Sequence, residues 1–163
     1  MSITVELSER YLTYRDEMCI AKDIEVKQLN HYDRFTIAAT PLANAIGYTA
    51  EAAWAQLLNI PYTFRPYDRN ADDVGGYQIR STQNRNGHLM IYDKDVRGVF
   101  VFGIVNNTLD VVEFAGWSTY ERVVHPANYR THLGQYQLKV PAYCIKQSEL
   151  RNFSDMVKEN VVL

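Results

Sequence analysis

The residues best equipped for chemistry converge on one stretch, Asp72-Asp73-Val74-Gly75-Gly76-Tyr77-Gln78-Ile79-Arg80, with Glu51 upstream in Ala50-Glu51-Ala52-Ala53-Trp54. Strand side chains alternate between faces, so Gln78 and Arg80 share one face while Tyr77, Ile79 and Ser81 share the other. Tyrosine and isoleucine are ordinary core residues; the polar pair needs a separate explanation. An acid at a glycine turn, followed by such a strand, can hold a hard cation. Mg2+ takes oxygen ligands in near-octahedral geometry, usually one or two carboxylates completed by water and substrate phosphate. Asp73 offers a carboxylate, the Gln78 amide a neutral oxygen, and the Ile79 backbone carbonyl another. Arg80 can hold a phosphate or the charge that develops on it. Glu51 can orient water or a second ion from the preceding helix.

Each residue also has a plainer use. Glu51 can be a carboxylate favoured near a helix N-terminus, by roughly 0.3–1 kcal/mol. Asp72 and Asp73 can simply initiate the Val74-Gly75-Gly76 turn. Gln78 and Arg80 can be the solvent face of a half-buried strand. Only the order of the three elements favours a site. His88 lies close to Arg80 if the following hairpin closes, and it can touch phosphate or sit on the surface. His125 and His132 suit a loop surface or a cap, and Asp93 and Asp95, split by Lys94, read as a solvated turn. The 12 tyrosines can stack on bases, although their scatter fits packing better.

The elements that must position these residues follow from periodicity and punctuation. A short strand at Ile3–Glu6 leads to Ser8, a good N-cap, and helix is predicted from Glu9 to about Asn30. Thr40-Pro41 marks a second helix start. Its stripe is Leu42, Ile46, Ala50, Ala53, Trp54, Leu57 and Leu58, ending by Asn59. Glu51 falls about 90° from the stripe centre, on the border of core and solvent; a restart of the helix with Thr49 as N-cap is a second option. Gly76–Thr82 and Leu89–Tyr92 flank Asn86-Gly87, a hairpin signal. Val99–Val105 reads as a central strand buried on both faces. After Asn106-Asn107 the chain returns along Leu109–Phe114, ending at Gly116-Trp117, and Ser118 caps a short helix through Arg122. Ala142–Ile145 is a last strand and Ser148–Phe153 a helical turn. Helices before and after a run of strands predict an α/β or α+β fold, one central mixed sheet of about four to five strands flanked by helices.

Length and composition fit one domain over residues 1–163: 47% of residues are hydrophobic, enough for a real core, and no Pro/Gly/Ser-rich linker divides the chain. A net charge of −2 gives no general attraction to nucleic acid. The segment from Arg122 to Arg151 is different. It carries Arg122, Arg130, Lys139, Lys146 and Arg151 against Glu149 alone, which suits an anionic partner or a solvated surface. Cys19 and Cys144 form no metal or disulfide pattern and read as small buried hydrophobes. No signal peptide or membrane span is evident, and a cytoplasmic protein with no membrane partner is expected.

The sequence order just described resembles the PD-(D/E)XK nuclease superfamily, in particular its small phage and prophage proteins. The resemblance runs from about Ala45 to Trp117, with a further familiar stretch at Pro141–Leu150. It implies a restriction-endonuclease-like fold and Mg2+- or Mn2+-dependent hydrolysis of DNA phosphodiesters. Residue by residue, it implies that Asp73 is the metal-binding acid, Gln78 stands at the second acid's position, Arg80 at the lysine's and Glu51 at the helix glutamate's. His88, Arg85, Arg122 and Arg130 would contact the substrate. Two departures matter: Gln78 removes a negative charge from the metal site, and Arg80 cannot deprotonate to act as a base. They leave two alternatives open. One is an inactive nuclease-fold module that binds nucleic acid or a host protein; the other is a structural phage protein.

Overall fold

The computed structural model describes residues 2–29, 41–62 and 73–158. Strand β1 (Ile3–Glu6) enters helix α1 (Glu9–Leu29), whose first helical bond runs from the Leu12 N–H to the Ser8 carbonyl at 2.9 Å. Helix α2 (Pro41–Leu58) follows, with proline at its first turn; the expected Thr40 cap lies outside the described residues. Strands β2 (Tyr77–Thr82), β3 (Leu89–Ile91), β4 (Val99–Val105) and β5 (Val111–Thr119) come next. Helix α3 (Tyr120–Val123), strands β6 (Tyr129–Leu133) and β7 (Tyr136–Ile145), and helix α4 (Ser154–Lys158) complete the order. Among the described residues, no helix is long and apolar enough to cross a membrane.

The strands make two sheets. A mixed four-stranded sheet runs β1-β5-β4-β2, and a three-stranded sheet runs β3-β7-β6. Both are flanked by helices, as the α+β expectation has it. The four-stranded sheet packs one face on α1 and α2, around Trp54, Tyr77, Val101, Phe114 and Phe153. Its other face meets the second sheet through Phe100, Phe102 and Ile104, against Leu89, Ile91 and Ile145. Strand β4 is therefore buried on both faces, as its unbroken apolar run demands.

The Asn86-Gly87 hairpin does not form. Strand β2 pairs with β4 in parallel, Tyr77 opposite Val99, while β3 pairs antiparallel with β7. Local bonds explain the misreading: the Asn84 side chain accepts from the Asn86 N–H at 3.0 Å, so the asparagines build a loop of their own. Gln147 Nε2 then ties that loop to the end of β7 through the Arg85 and Gly87 carbonyls, at 2.7 and 3.0 Å. Leu89 and Ile91, both fully buried, fill the second core rather than flank β2.

Other boundaries shift for similar reasons. Strand β5 runs on past Gly116 to Thr119, because its pairing with β4 continues to Val99 opposite Thr119; Trp117 also exchanges backbone hydrogen bonds with Arg151 at 3.1 and 2.9 Å. Gly116 is needed there, since a Cβ would meet the Arg151 carbonyl at 2.7 Å. Ser118 is buried inside β5 rather than capping α3, whose N-cap is Thr119. On α1, Ile20 and Ile24 are 61% and 49% exposed; Tyr11 and Met18 carry the contact instead. Cys144 is buried as expected, whereas Cys19 is only half-buried.

Candidate active site

The local sequence builds the site at the outer edge of β2. Val74 and Tyr77 pair across a two-residue turn whose centre, Gly75-Gly76, has φ of +58° and +89°. Two positive φ values in succession define the primed turn that matches strand twist, and glycine reaches them without steric cost. The turn folds Asp73 back along β2. Its backbone N–H donates to the Tyr77 carbonyl at 3.0 Å, and its Oδ2 accepts from the Ile79 N–H at 2.7 Å. Among the described strands β2 pairs only with β4, and Ile79 turns its N–H away from it. Asp73 thus covers an open sheet edge. An alanine at Gly75 takes on the left-handed penalty of about 1–2 kcal/mol and sets its Cβ at 2.8 Å from Leu58 Cδ1. We expect Gly75→Ala to lower Tm by about 2–8 °C in a thermal melt.

Glu51 approaches the same edge from α2. Thr49 is not a second N-cap: it is fully buried within the helix, and its hydroxyl donates to the Ala45 carbonyl at 2.6 Å. Glu51 therefore sits in the helix interior, away from the dipole position that would explain it. The Tyr62 hydroxyl donates to Glu51 Oε2. Burial, and then the charge of Asp73, push the Glu51 carboxyl up to about 8; Tyr62 and Arg80 pull the other way. Burial and the neighbouring Glu51 hold the Tyr62 phenol far above its usual range.

Arg80 closes the arrangement. Its Nη1 lies 3.8 Å from Asp73 Oδ2, and its Nη2 lies 3.1 Å from Asp95 Oδ2. Nη1 also donates to the Ile79 carbonyl at 3.3 Å, and the guanidinium sits 5.2 Å from the centre of the Phe100 ring. Asp95 is no solvated turn residue: besides Arg80, it accepts from the Tyr92 N–H at 2.8 Å. Gln78 shares Arg80's face but is only 5% exposed, so the solvent-face explanation of the polar pair fails for it.

Among the described residues no group of three or more His, Cys, Asp or Glu gathers anywhere. A cation held here must therefore combine the acid pair with neutral oxygens. The donor chemistry fits one: the charge of Asp73 disfavours that of Glu51, and the Ile79 carbonyl and the Asp73 carboxylate both face the Arg80 Nη1, at 3.3 and 3.8 Å. These are hard oxygen ligands, of the kind Mg2+ and Mn2+ take.

The remaining expected residues divide. His88 and Arg130 line a cleft of about 860 Å3 together with Arg80, His132 and Lys146. Arg85 instead pairs with Glu113 at 3.0 Å, and Arg122 reaches the Glu149 carbonyl at 3.4 Å; neither lines the cleft. His125 caps a short 3-10 turn, its Nδ1 accepting from the Ala127 N–H at 3.2 Å. Tyr62 and Asp95 are site residues that sequence reasoning missed. Nothing local signals Tyr62, which reaches Glu51 only because the chain doubles back after α2. No protein-family model, curated protein or solved structure matches the chain.

Proposed function

We propose that the protein is a metal-dependent, cytoplasmic phosphodiesterase acting on DNA, in keeping with the nuclease resemblance of its sequence. One observation carries the reading: at the β2 edge an acid pair and an outward carbonyl stand beside an arginine that also faces a cationic cleft. Asp73, Glu51 and the Ile79 carbonyl would hold Mg2+ or Mn2+, with Gln78 as a neutral neighbour. When bound, such an ion activates water and offsets phosphate charge. Asp73 is oriented for this by the Ile79 N–H, which fixes one carboxylate oxygen. Burial and the charge of Asp73 favour the protonated form of Glu51 at neutral pH, and its ionised form would be the one to hold such an ion. Tyr62 keeps the Glu51 carboxyl in place throughout. Arg80, always charged, can swing from Asp73 to a phosphate oxygen while its other arm stays on Asp95.

The test is cleavage of duplex, branched and single-stranded DNAs with Mg2+ or Mn2+. Asp73→Ala should reduce the rate at least 100-fold while the fold survives; cleavage unchanged in that variant eliminates this site.

A second reading has its own support. Arg80 bridges Asp73 and Asp95, and such a bridge can replace a cation in a decayed site. In that case the same fold binds nucleic acid or a host protein without hydrolysis. Calorimetric titration separates the two readings, because the decayed site takes up no divalent ion with or without DNA.

A further inference from the structure

The cleft beside Arg80 differs in kind from the acid edge. Its rim carries Arg80, Arg130 and Lys146 with His88 and His132, and no described acidic residue lines it. In a chain of net charge −2, Arg130 and Lys146 face this cavity with no acid among its described lining residues, which favours an anion there; Arg80 is already held by Asp73 and Asp95. Arg130 is preset: its Nη1 donates to the Ala127 and Tyr129 carbonyls at 2.8 and 2.9 Å, which fixes one arm of the guanidinium. Met90, Phe102 and Leu138 add apolar side chains to the lining, and Tyr136, 83% exposed, joins it from the start of β7.

Cationic groups, apolar side chains and an exposed aromatic ring are complementary to one class of ligand. A duplex offers phosphates but keeps its base faces stacked inside, and it is too wide to enter a cavity of this size. A single strand offers phosphate to the cationic groups and unstacked bases to the apolar side chains and to Tyr136. We infer that the cleft binds a single-stranded polynucleotide and leads it to the β2 edge. The inference rests on the phosphodiesterase reading, because Arg80 belongs to both the edge and the cleft. It assigns that reading a substrate form.

Fluorescence anisotropy in EDTA tests binding apart from hydrolysis. The probes are a labelled thymidine oligodeoxynucleotide, a uridine oligoribonucleotide of equal length and a mixed-sequence DNA duplex. We expect one of the single strands to bind at least tenfold tighter than the duplex. The double variant R130A/K146A, both positions exposed, should weaken single-strand binding at least tenfold. It should also reduce the slope of log affinity against log salt by about 1.4, two phosphate contacts at ~0.7 each. Tyr136→Ala should weaken binding by about fivefold or more while leaving the salt slope unchanged, which marks stacking rather than charge. Duplex binding as tight as single-strand binding, or affinity untouched in R130A/K146A, overturns the cleft assignment even if Mn2+-dependent cleavage is found. Single-strand binding without cleavage leaves the cleft assignment standing and overturns hydrolysis.

Discussion

Trp54→Ala is expected to destabilise the protein by about 3–5 kcal/mol, the range for emptying a fully buried aromatic site. The indole is wholly inaccessible, with ring centres 5.2 Å from Tyr77, 5.1 Å from Phe114 and 5.9 Å from Phe153. Those three rings belong to β2, β5 and the segment before α4, so Trp54 joins four parts of the chain. It also lies one helical turn after Glu51. A cavity there releases the contact that seats α2 against Tyr77, the first residue of the strand bearing Arg80. Trp54→Phe should behave differently. Among the described residues the indole N–H has no acceptor, so phenylalanine removes an unsatisfied donor as well as some volume. We expect Trp54→Phe to lose less than half of what Trp54→Ala loses. Urea denaturation at one pH measures both, and equal losses would show that the N–H, and not the ring contacts, decides the effect.

What the sequence disclosed and what it hid divide along one physical line, local against long-range. The Val99–Val105 run announces a doubly buried strand because no polar residue interrupts it, and β4 is that strand. The glycine pair after Asp73 announces a turn because no other residue tolerates both φ values cheaply, and that turn folds the carboxylate back on Ile79. The destination of β3 was hidden. Asn86-Gly87 satisfies local hairpin rules, yet the burial of Leu89 and Ile91 in a second core overrides them. Asp95 looked like a turn acid because its partner, Arg80, is fifteen positions away, with the end of β2, a loop and β3 between them. The cleft was hidden in the same way. Arg130, His132 and Lys146 register as a basic segment, but only the pairing of β7 with β3 carries them to the side of β2 on which Arg80 lies.

Glu51→Gln should remove a pH dependence of stability and, on the proposed function, one of cation binding as well. The native Glu51 carboxyl titrates near 8, against 4.5 for an unperturbed glutamate. Between those values the native state holds a proton that the unfolded state has released, so stability falls as pH rises. The contribution is fully present below about pH 4.5, declines at no more than about 1.4 kcal/mol per pH unit, and is gone above about pH 8. Glutamine keeps an oxygen for the Tyr62 hydroxyl and cannot ionise. The unfolding free energy of wild type minus that of Glu51→Gln, from urea titrations at pH 5, 6.5, 8 and 9, should therefore fall from pH 5 to 8 and level off by pH 9. A difference constant with pH would show that Glu51 is an ordinary exposed carboxylate. Cation binding runs the opposite way, because a divalent ion needs the ionised form and must expel the proton. Added Mn2+ should raise the wild-type Tm more at pH 8 than at pH 6, and should raise that of Glu51→Gln little at either. Both trends would follow from one cause, the burial and the charge of Asp73 that disfavour the ionised form of Glu51. If Mn2+ stabilises both proteins equally, Glu51 is not a ligand and the acid pair at the β2 edge is a structural contact.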